Sequence, residues 1–294
     1  MEHVLRNALI GNAASLGLNW IYDMPFLERL SKKQTLTFLK PDQHIYDQSK
    51  KAYFAYPLAD IGDVSFQGMI AVWLYQTLSA NPQYPFDQYD DLLYANIKEG
   101  SSYQGYIEAY GRKLIEDRVQ MEKTPSFFSR PFDDDQLVGF VPYLVCHQVG
   151  LTTTRALKFT HVFGTHPDYL LYFNMLDTFF KRSKNMSHRQ VIEDIVEFMP
   201  LDKKDTFLQA IKMTDTKKYI ATYAGTACHI DHAVPVIFHV VYHSNSFEEG
   251  LAMNTRIGGA SSDRGMLIGA MLGEVFKVDE SLIKKTNKTL ALLV

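Results

Sequence analysis

Residues 254–265 read NTRIGGASSDRG and lead directly into an apolar run, MLIGAMLGEVF, at 266–276. Gly258 and Gly259 indicate a tight turn, and residue types that cap helix N-termini follow it: Ser261, Ser262 and Asp263. Free backbone N–H groups at such a helix start suit a phosphate, whereas Asp and Ser oxygens suit a hard cation. The stretch therefore predicts a ligand-binding turn, with a glycine-rich turn before a core helix as the simpler alternative.

The helix predicted after this turn carries a glycine at every fourth position, namely Gly265, Gly269 and Gly273. Positions four apart lie on one face of a helix, so this face presents a stripe without side chains. We therefore expect this helix to pack in close contact with a neighbouring helix.

Two further turns place polar side chains beside a helix end. Residues 59–67 read ADIGDVSFQ, and Asp63 and Ser65 can cap the amphipathic helix that follows, which is the default interpretation. Residues 11–23 read GNAASLGLNWIYD, and Asn12 and Asn19 there could orient a ligand while the aromatic residues stack on a flat ring. A plain helix C-terminus accounts for this turn as well, so both interpretations stay open.

Helical spacing of apolar residues dominates the rest of the chain. Capping-box spacings predict helix starts at Ser187 and Ser246. Apolar periodicity predicts further helices at 3–18, 86–96, 104–118, 135–147, 167–181, 203–213, 232–243 and 264–277. Strand signals are thin, because alternating stretches are short and Asn-Gly or Asp-Gly hairpin turns are absent. The sequence thus predicts a single all-α domain over residues 1–294, with its longest irregular piece, a candidate functional loop, at 40–63.

The composition excludes several classes of protein. With 30 Lys+Arg against 33 Asp+Glu the formal net charge is −3, which argues against broad nucleic-acid binding. No apolar run approaches the roughly 20 residues that cross a bilayer, and the amino-terminal stretch makes a poor signal peptide. The two cysteines, Cys146 and Cys228, are too few for a disulfide framework. We therefore expect a soluble, cytoplasmic protein without membrane or nucleic-acid partners, whereas the sequence is silent on its oligomeric state.

Ten histidines include two pairs at helical spacing, His229 with His232 and His239 with His243. Such spacing would fit a metal on one helix face, but we expect core or surface histidines. The sequence contains no His-Asp dipeptide, no Gly-x-Ser-x-Gly elbow and no Walker A pattern. The signatures of metal-dependent phosphohydrolases, serine hydrolases and P-loop proteins are therefore missing.

The three turns occur in an order that resembles the ADP-ribosylglycohydrolase family. Its members carry a Gly-Asp-Ala turn, a Thr-Asp-Asp-Thr turn and a late Gly-Gly-Asp-x-Asp-Thr turn, and the matching stretches here are 11–14, 61–64 and 258–263. The sequence is most similar to the J-type crystallin-like branch, through Trp20-Ile-Tyr-Asp23, Thr226-Ala-Cys-His229 and Asp263-Arg-Gly265. The segment Thr165-His-Pro167 also looks like the mid-chain Thr-His turn of the family.

This resemblance implies a compact all-α fold that hydrolyses the N- or O-glycosidic bond of ADP-ribosylated groups with the help of Mg²⁺. Carried over by position, it implies catalytic roles for Asp63 and Asp263. It implies a single Mg²⁺ ion on Asp63, Ser262 and Asp263, since carboxylate and hydroxyl oxygens suit that ion. It also implies contacts to an ADP-ribose-like ligand or ADP-ribosylated substrate from Asn12, Asn19, Asn254, Gly258, Gly259, Ser261, Arg264 and His166.

The chain departs from the family pattern where the chemistry is expected. In the second turn only Asp63 remains, because Ile61, Gly62 and Val64 replace the other three residues. In the late turn, Ala260 and Ser262 stand where the family has two aspartates. Arg264 could bind a diphosphate or form an internal ion pair with either Asp63 or Asp263. Two functions follow: a glycosidic-bond hydrolase, or alternatively a catalytically inactive binding or structural protein.

Overall fold

The computed structural model describes residues 3–124, 126 and 136–294. Helices joined by loops make up this part of the chain: α1 (Val4–Ser15), α2 (Met24–Ser31), α3 (Gln43–Asp47), α4 (Phe66–Ala80), α5 (Tyr89–Ile97), α6 (Ala109–Lys123), α7 (Val141–Gln148), α8 (Thr153–Thr160), α9 (Asp168–Arg182), α10 (His188–Glu197), α11 (Leu201–Lys212), α12 (Thr216–Tyr223), α13 (Ile230–His243), α14 (Phe247–Ile257), α15 (Ser261–Val275), α16 (Glu280–Lys285) and α17 (Asn287–Leu290). Short 3₁₀ turns occur at Leu16–Leu18, Phe86–Gln88, Leu137–Phe140 and Ala291–Leu293.

The all-α prediction is confirmed. No β-strand occurs within the described ranges, where isolated bridges join Ile21 to Ala52 and Gln136 to His229. No helix in this part of the chain is long and apolar enough to cross a membrane.

Three predicted helix starts are confirmed by their caps. The backbone N–H of Gly68 donates to Ser65 Oγ at the start of α4, at 3.4 Å. Gln190 N–H donates to Ser187 Oγ at 3.3 Å, and Glu249 N–H donates to Ser246 Oγ at 3.1 Å. Each serine oxygen satisfies one backbone donor that the first helical turn leaves without a partner.

The structure differs from the predicted helices mainly at their ends. The helix predicted at 104–118 begins only at Ala109, because Glu108 has an extended backbone with ψ of 170°. The segment predicted at 135–147 starts outside the described residues and is divided into a 3₁₀ turn and α7. The irregular piece at 40–63 contains the short helix α3, whose start is capped by Asp42.

The glycine stripe of α15 lies against α1, as the spacing predicted. A Cβ atom on Gly265 would collide with the carbonyl oxygen of Gly11, and one on Gly269 would collide with that of Asn7. The two backbones approach so closely that no side chain fits between them. This contact fixes the end of α1 next to the start of α15.

The start of α15 lies inside the protein. Every residue from Ser261 to Leu272 is buried, and the apolar ones belong to the main hydrophobic core. That core also receives buried side chains from α1, α4, α7, α9 and α13. The polar residues of the late turn are therefore held in a water-poor environment, where an unpaired polar atom is costly.

Candidate active site

The side chain of Asn12 joins the three turns that the sequence singled out. Its Oδ1 accepts a hydrogen bond from Ser65 N–H at 2.7 Å. Its Nδ2 donates to Ser65 Oγ at 2.8 Å and to the carbonyl oxygen of Ser262 at 3.1 Å. One buried amide thus connects the end of α1, the start of α4 and the start of α15 at a single point.

A second set of hydrogen bonds holds the segment after α1 against the late turn. Ser262 N–H donates to Asn19 Oδ1 at 3.1 Å, and Trp20 N–H donates to the carbonyl oxygen of Gly259 at 2.8 Å. Trp20 has a φ of +64°, a left-handed conformation that costs a bulky residue about 1–3 kcal/mol. The surrounding hydrogen bonds stabilise this backbone and hold the Trp20 ring in place.

Asp263 projects from the first turn of α15 and is only 2% exposed. Its Oδ1 has no hydrogen-bond partner within the described ranges, and the same holds for the buried Ser261 Oγ, Ser262 Oγ and Asn19 Nδ2. Burial raises the pKa of Asp263 to about 7, although the positive charge of Arg264 opposes this shift. The carboxyl can therefore exchange a proton near neutral pH.

Glu108 is a second buried carboxyl of this site, and the sequence reasoning missed it. Its Oε1 accepts a hydrogen bond from Tyr56 Oη at 3.0 Å, and Tyr110 also hydrogen-bonds to it. Burial, and next the charge of Asp263, raise the pKa of Glu108 well above its usual range. The two carboxyls thus influence each other, and each favours its protonated form. Glu108 lies just before a helix start in the tyrosine-rich stretch YQGYIEAYG, and this position could have indicated its role. The helix predicted at 104–118 included Glu108, so its position at a helix start was overlooked.

Aromatic rings line an open cleft, and one of them is hydrogen-bonded to Glu108. The Trp20 ring contacts the rings of Tyr53, Tyr56 and Tyr106, with centroids 5.4–5.9 Å apart. A cleft of about 650 Å³ lies beside these rings and is lined by Tyr56, Tyr103, Tyr106, Asp63 and Lys288, among others. Tyr56 both lines the cleft and hydrogen-bonds to Glu108, so this side chain connects the cleft with the buried acid.

Comparison with solved structures identifies the fold. The chain aligns with a structure described as an ADP-ribosylglycohydrolase-related protein complex, over 99% of this chain and 95% of that one. The TM-score is 0.58 and the sequence identity is 13%. The two share a fold. No protein-family model matches the sequence, and no curated protein matches it. The likeness to an ADP-ribosylglycohydrolase-type fold therefore comes from the structure, and at this identity it extends to the fold alone.

The backbone amides of the late turn are already used within the protein. Gly258 N–H donates to the carbonyl oxygen of Thr255 at 3.1 Å, and Gly259 N–H donates to that of Ile21 at 2.8 Å. Ser261 N–H donates to the carbonyl oxygen of Gly259 at 2.7 Å. These three amides were predicted to bind phosphate, but each N–H group already donates to a carbonyl oxygen of the protein. Positive φ values of 77° and 64° explain why glycine stands at 258 and 259.

Arg264 stabilises the turn and has no exposed surface. Its Nε donates to Asn254 Oδ1 at 3.2 Å, its Nη1 donates to the carbonyl oxygen of Thr226 at 3.2 Å, and its Nη2 donates to that of Gly258. Asn254 in turn donates to Ser15 Oγ and to the carbonyl oxygen of Ser261. No ion pair of Arg264 with an aspartate occurs among the described residues. Both side chains, which we predicted to contact substrate, therefore hold the protein's own backbone.

Asp63 lies apart from the hydrogen-bond network of Asp263. Its carboxylate accepts from Asp60 N–H at 2.9 Å and pairs with Lys288 Nζ at 3.1 Å. No hydrogen bond joins the two aspartates within the part of the chain that is described. The reason is the turn itself, which directs Ser65 to Asn12 but Asp63 to the wall of the cleft.

His166 belongs to a different neighbourhood. Asp168 N–H donates to His166 Nδ1 at 3.2 Å, and the Asp168 carboxylate lies 3.5 Å from the same nitrogen. Lys203 pairs with Asp168 as well as with Asp231. This charged group joins α9, α11 and α13, and the structure shows no hydrogen bond from it, in the described ranges, to the cluster around Asp263.

Possible ligands of a metal ion are the buried oxygen atoms that have no hydrogen-bond partner among the described residues. Asp263 Oδ1, Ser261 Oγ and Ser262 Oγ are oxygens of the kind that Mg²⁺ prefers. Asp63, the third predicted ligand, is bound to Lys288 instead. Among residues 3–124, 126 and 136–294 no group of three or more His, Cys, Asp or Glu side chains could hold a metal. The Mg²⁺ ion thus stays a prediction.

Proposed function

We propose that the protein is a glycosidic-bond hydrolase of the ADP-ribosylglycohydrolase type, acting on an ADP-ribose-like ligand or an ADP-ribosylated substrate. The observation that carries this proposal is the Asp263 carboxyl, which is buried beside Glu108 and has one oxygen without a partner in the described structure. Folded proteins rarely leave such an oxygen unsatisfied unless a ligand, an ion or a reaction uses it.

The cleft beside Tyr56 supports a nucleotide-like ligand. Its volume of about 650 Å³ is within the usual range of small-molecule sites. The rings of Tyr103 and Tyr106 offer faces on which a flat base can stack, and Lys288 offers a cation for a diphosphate. The ligand would thus lie along the aromatic wall, with its ribose towards the acid pair.

Most enzymes that hydrolyse a glycosidic bond use two carboxyl groups. Glu108, whose pKa burial raises well above its usual range, would donate its proton to the leaving atom as the bond to the ribose carbon breaks. Asp263, when ionised, would take a proton from the water that attacks that carbon. Each acid is therefore assigned one proton transfer, and both are restored when the proton returns from Asp263 to Glu108 through solvent.

One Mg²⁺ ion forms part of this proposal. Asp263 and Ser262 would hold it, and it would orient the ribose hydroxyls and position water. The roles assigned to Asn12, Asn19 and Ser261 are then to shape the polar floor of the site.

We also propose that the protein lies closest to the J-type crystallin-like branch, on the motifs from Trp20 to Asp23 and from Asp263 to Gly265. A cytoplasmic location is proposed because two cysteines are too few for a disulfide framework, which fits a reducing compartment.

The decisive experiment measures release of ADP-ribose from substrates in which it is joined to arginine, to serine or to a nucleobase, with and without Mg²⁺. We expect Asp263→Asn and Glu108→Gln each to lower kcat by roughly 100-fold or more, as is typical for lost acid–base groups. Asp63→Asn is the matched control, since it removes a carboxylate from the cleft wall alone, and we expect a much smaller loss.

The outcomes separate the hypotheses. Loss of turnover on Asp63→Asn alone would show that our assignment of the acid pair is wrong. Calorimetric binding of ADP-ribose without turnover on any substrate would indicate the inactive alternative. Absence of both binding and turnover would overturn the proposed function altogether.

A further inference from the structure

A second cavity, of about 290 Å³, lies between α5, α6 and the segment that follows α8. We call it the α5–α6 cavity, and its walls are apolar: Phe66, Ile70, Leu93, Ile97, Leu114 and Phe163. Tyr110 also lines this cavity while it hydrogen-bonds to Glu108, so the α5–α6 cavity lies behind the acid pair and apart from the cleft. A dry cavity of about 150 Å³ accepts benzene, so this one has room for two fused rings.

Charged side chains surround the mouth of the α5–α6 cavity. Asp90 pairs with Arg118, and Lys113 pairs with Asp117. Lys158 and Asp87 also line the mouth, and neither has an ion pair within the described ranges of the chain. The Lys158 ammonium lies 5.1 Å from the centre of the Phe86 ring, and Asp87 is the next residue along the chain. A cation and an anion thus both line this largely apolar cavity.

We propose that the α5–α6 cavity binds a small zwitterion with a bulky apolar group, that is, an α-amino acid with an aromatic side chain. The ring would occupy the apolar interior, the carboxylate would pair with Lys158, and the ammonium would pair with Asp87. A ligand with only one charge would form only one of these ion pairs, and its charge would lie near the mouth residue of the same sign. This site is separate from the proposed hydrolase site and does not depend on it.

The expected energetics follow from where the groups lie. Burial of the ring supplies most of the affinity, because the cavity walls are apolar. The two mouth residues are exposed, so each ion pair adds specificity more than affinity. We therefore expect weak binding overall and a clear preference for the molecule that carries both charges.

Four indole ligands test this proposal by calorimetry and ligand-observed NMR: L-tryptophan, tryptamine, indole-3-propionate and 3-ethylindole. We expect L-tryptophan to bind tightest, with about a three- to tenfold loss for each charge removed from the ligand. Lys158→Met should weaken the binding of L-tryptophan and indole-3-propionate but not that of tryptamine. Asp87→Asn should weaken the binding of L-tryptophan and tryptamine but not that of indole-3-propionate.

Control variants separate the cavity from general effects. Lys98→Met removes an exposed lysine at the end of α5 and should change nothing. Ile97→Phe fills the interior and should abolish binding of all four ligands, and Leu114→Phe, at a half-buried position, does the same if Ile97→Phe does not fold. The proposal is overturned if no ligand binds at millimolar concentration, if the filled variants bind as well as the parent, or if either charge variant affects all four ligands equally.

Discussion

His239 shows how burial of one residue controls a protonation state. The side chain has no exposed surface, its Nδ1 is 2.7 Å from the carbonyl oxygen of Ala210, and its Nε2 is 3.0 Å from Thr216 Oγ1. The carbonyl can only accept, so Nδ1 carries the proton and Nε2 accepts from the hydroxyl. Burial lowers the pKa of His239 from 6.5 to about 4, so the ring stays neutral in the folded protein.

This neutral ring predicts a loss of stability in mild acid. Below pH 6.5 the unfolded chain binds a proton that native His239 does not, so the free energy of unfolding falls as pH drops towards 4. Because the shift is large, the contribution amounts to about 3 kcal/mol at most. We expect His239→Gln to be less stable at pH 8 but to lose less between pH 6.5 and 4, as measured by urea unfolding. The exposed His44→Gln is the control, and an equal slope in both variants would contradict this reading.

The contact between α1 and α15 sets the geometry of the site at the level of secondary elements. Glycines 11, 265 and 269 allow the two backbones to touch, and Asn12 and Ser262 are then adjacent to the point of contact. Gly265 and Gly269 face main-chain atoms of α1, which cannot move without the helix, whereas Gly273 faces the side chain of Asn7. The three glycines of the α15 stripe are therefore not equivalent, although they look alike in the sequence.

This difference predicts unequal effects of two similar substitutions. In Gly269→Ala the new methyl would meet the Asn7 carbonyl group, so the helices must separate, at a cost of about 3 kcal/mol. In Gly273→Ala it would meet the Asn7 amide and Cβ instead of main-chain atoms, and because the amide can rotate away, the loss should be smaller, about 1 kcal/mol. Thermal and denaturant unfolding of the two variants would test this, and similar stabilities would show that the helices yield more easily than the packing indicates.

Local signals made the elements of this fold accessible from the sequence. Ser187 and Ser246 accept hydrogen bonds from the backbone N–H groups that their spacing predicted, and Ser65 caps α4 as its residue type predicted. The start of α6 was missed because Glu108 and the residues before it have no strong turn signal, and an extended backbone interrupts the apolar pattern there. Such interruptions are set by tertiary contacts, here the bonds of Tyr56 and Tyr110 to Glu108, which no local pattern contains.

At the scale of the whole molecule, the sequence indicated which turns meet but not which side chains face each other. The family resemblance implied that the three turns lie together, and the hydrogen bonds of Asn12 connect them. The pairing of Asp63 with Lys288 could not be anticipated, because the two residues lie 225 positions apart. The place of Glu108 in the site could not be anticipated for the same reason, because its neighbour Asp263 is also far away in the sequence. Side-chain direction thus depends on packing between distant segments.

The bond from Asn12 to Ser262 spans 250 positions, and this span constrains how the protein is made. The ribosome adds all the intervening residues before it synthesises α15. During most of translation α1 therefore cannot pack against the glycine stripe of α15. Contacts of such long range form late and slowly. We therefore expect nascent chains released before residue 261 to remain aggregation-prone and to need chaperones, however complete their other helices are.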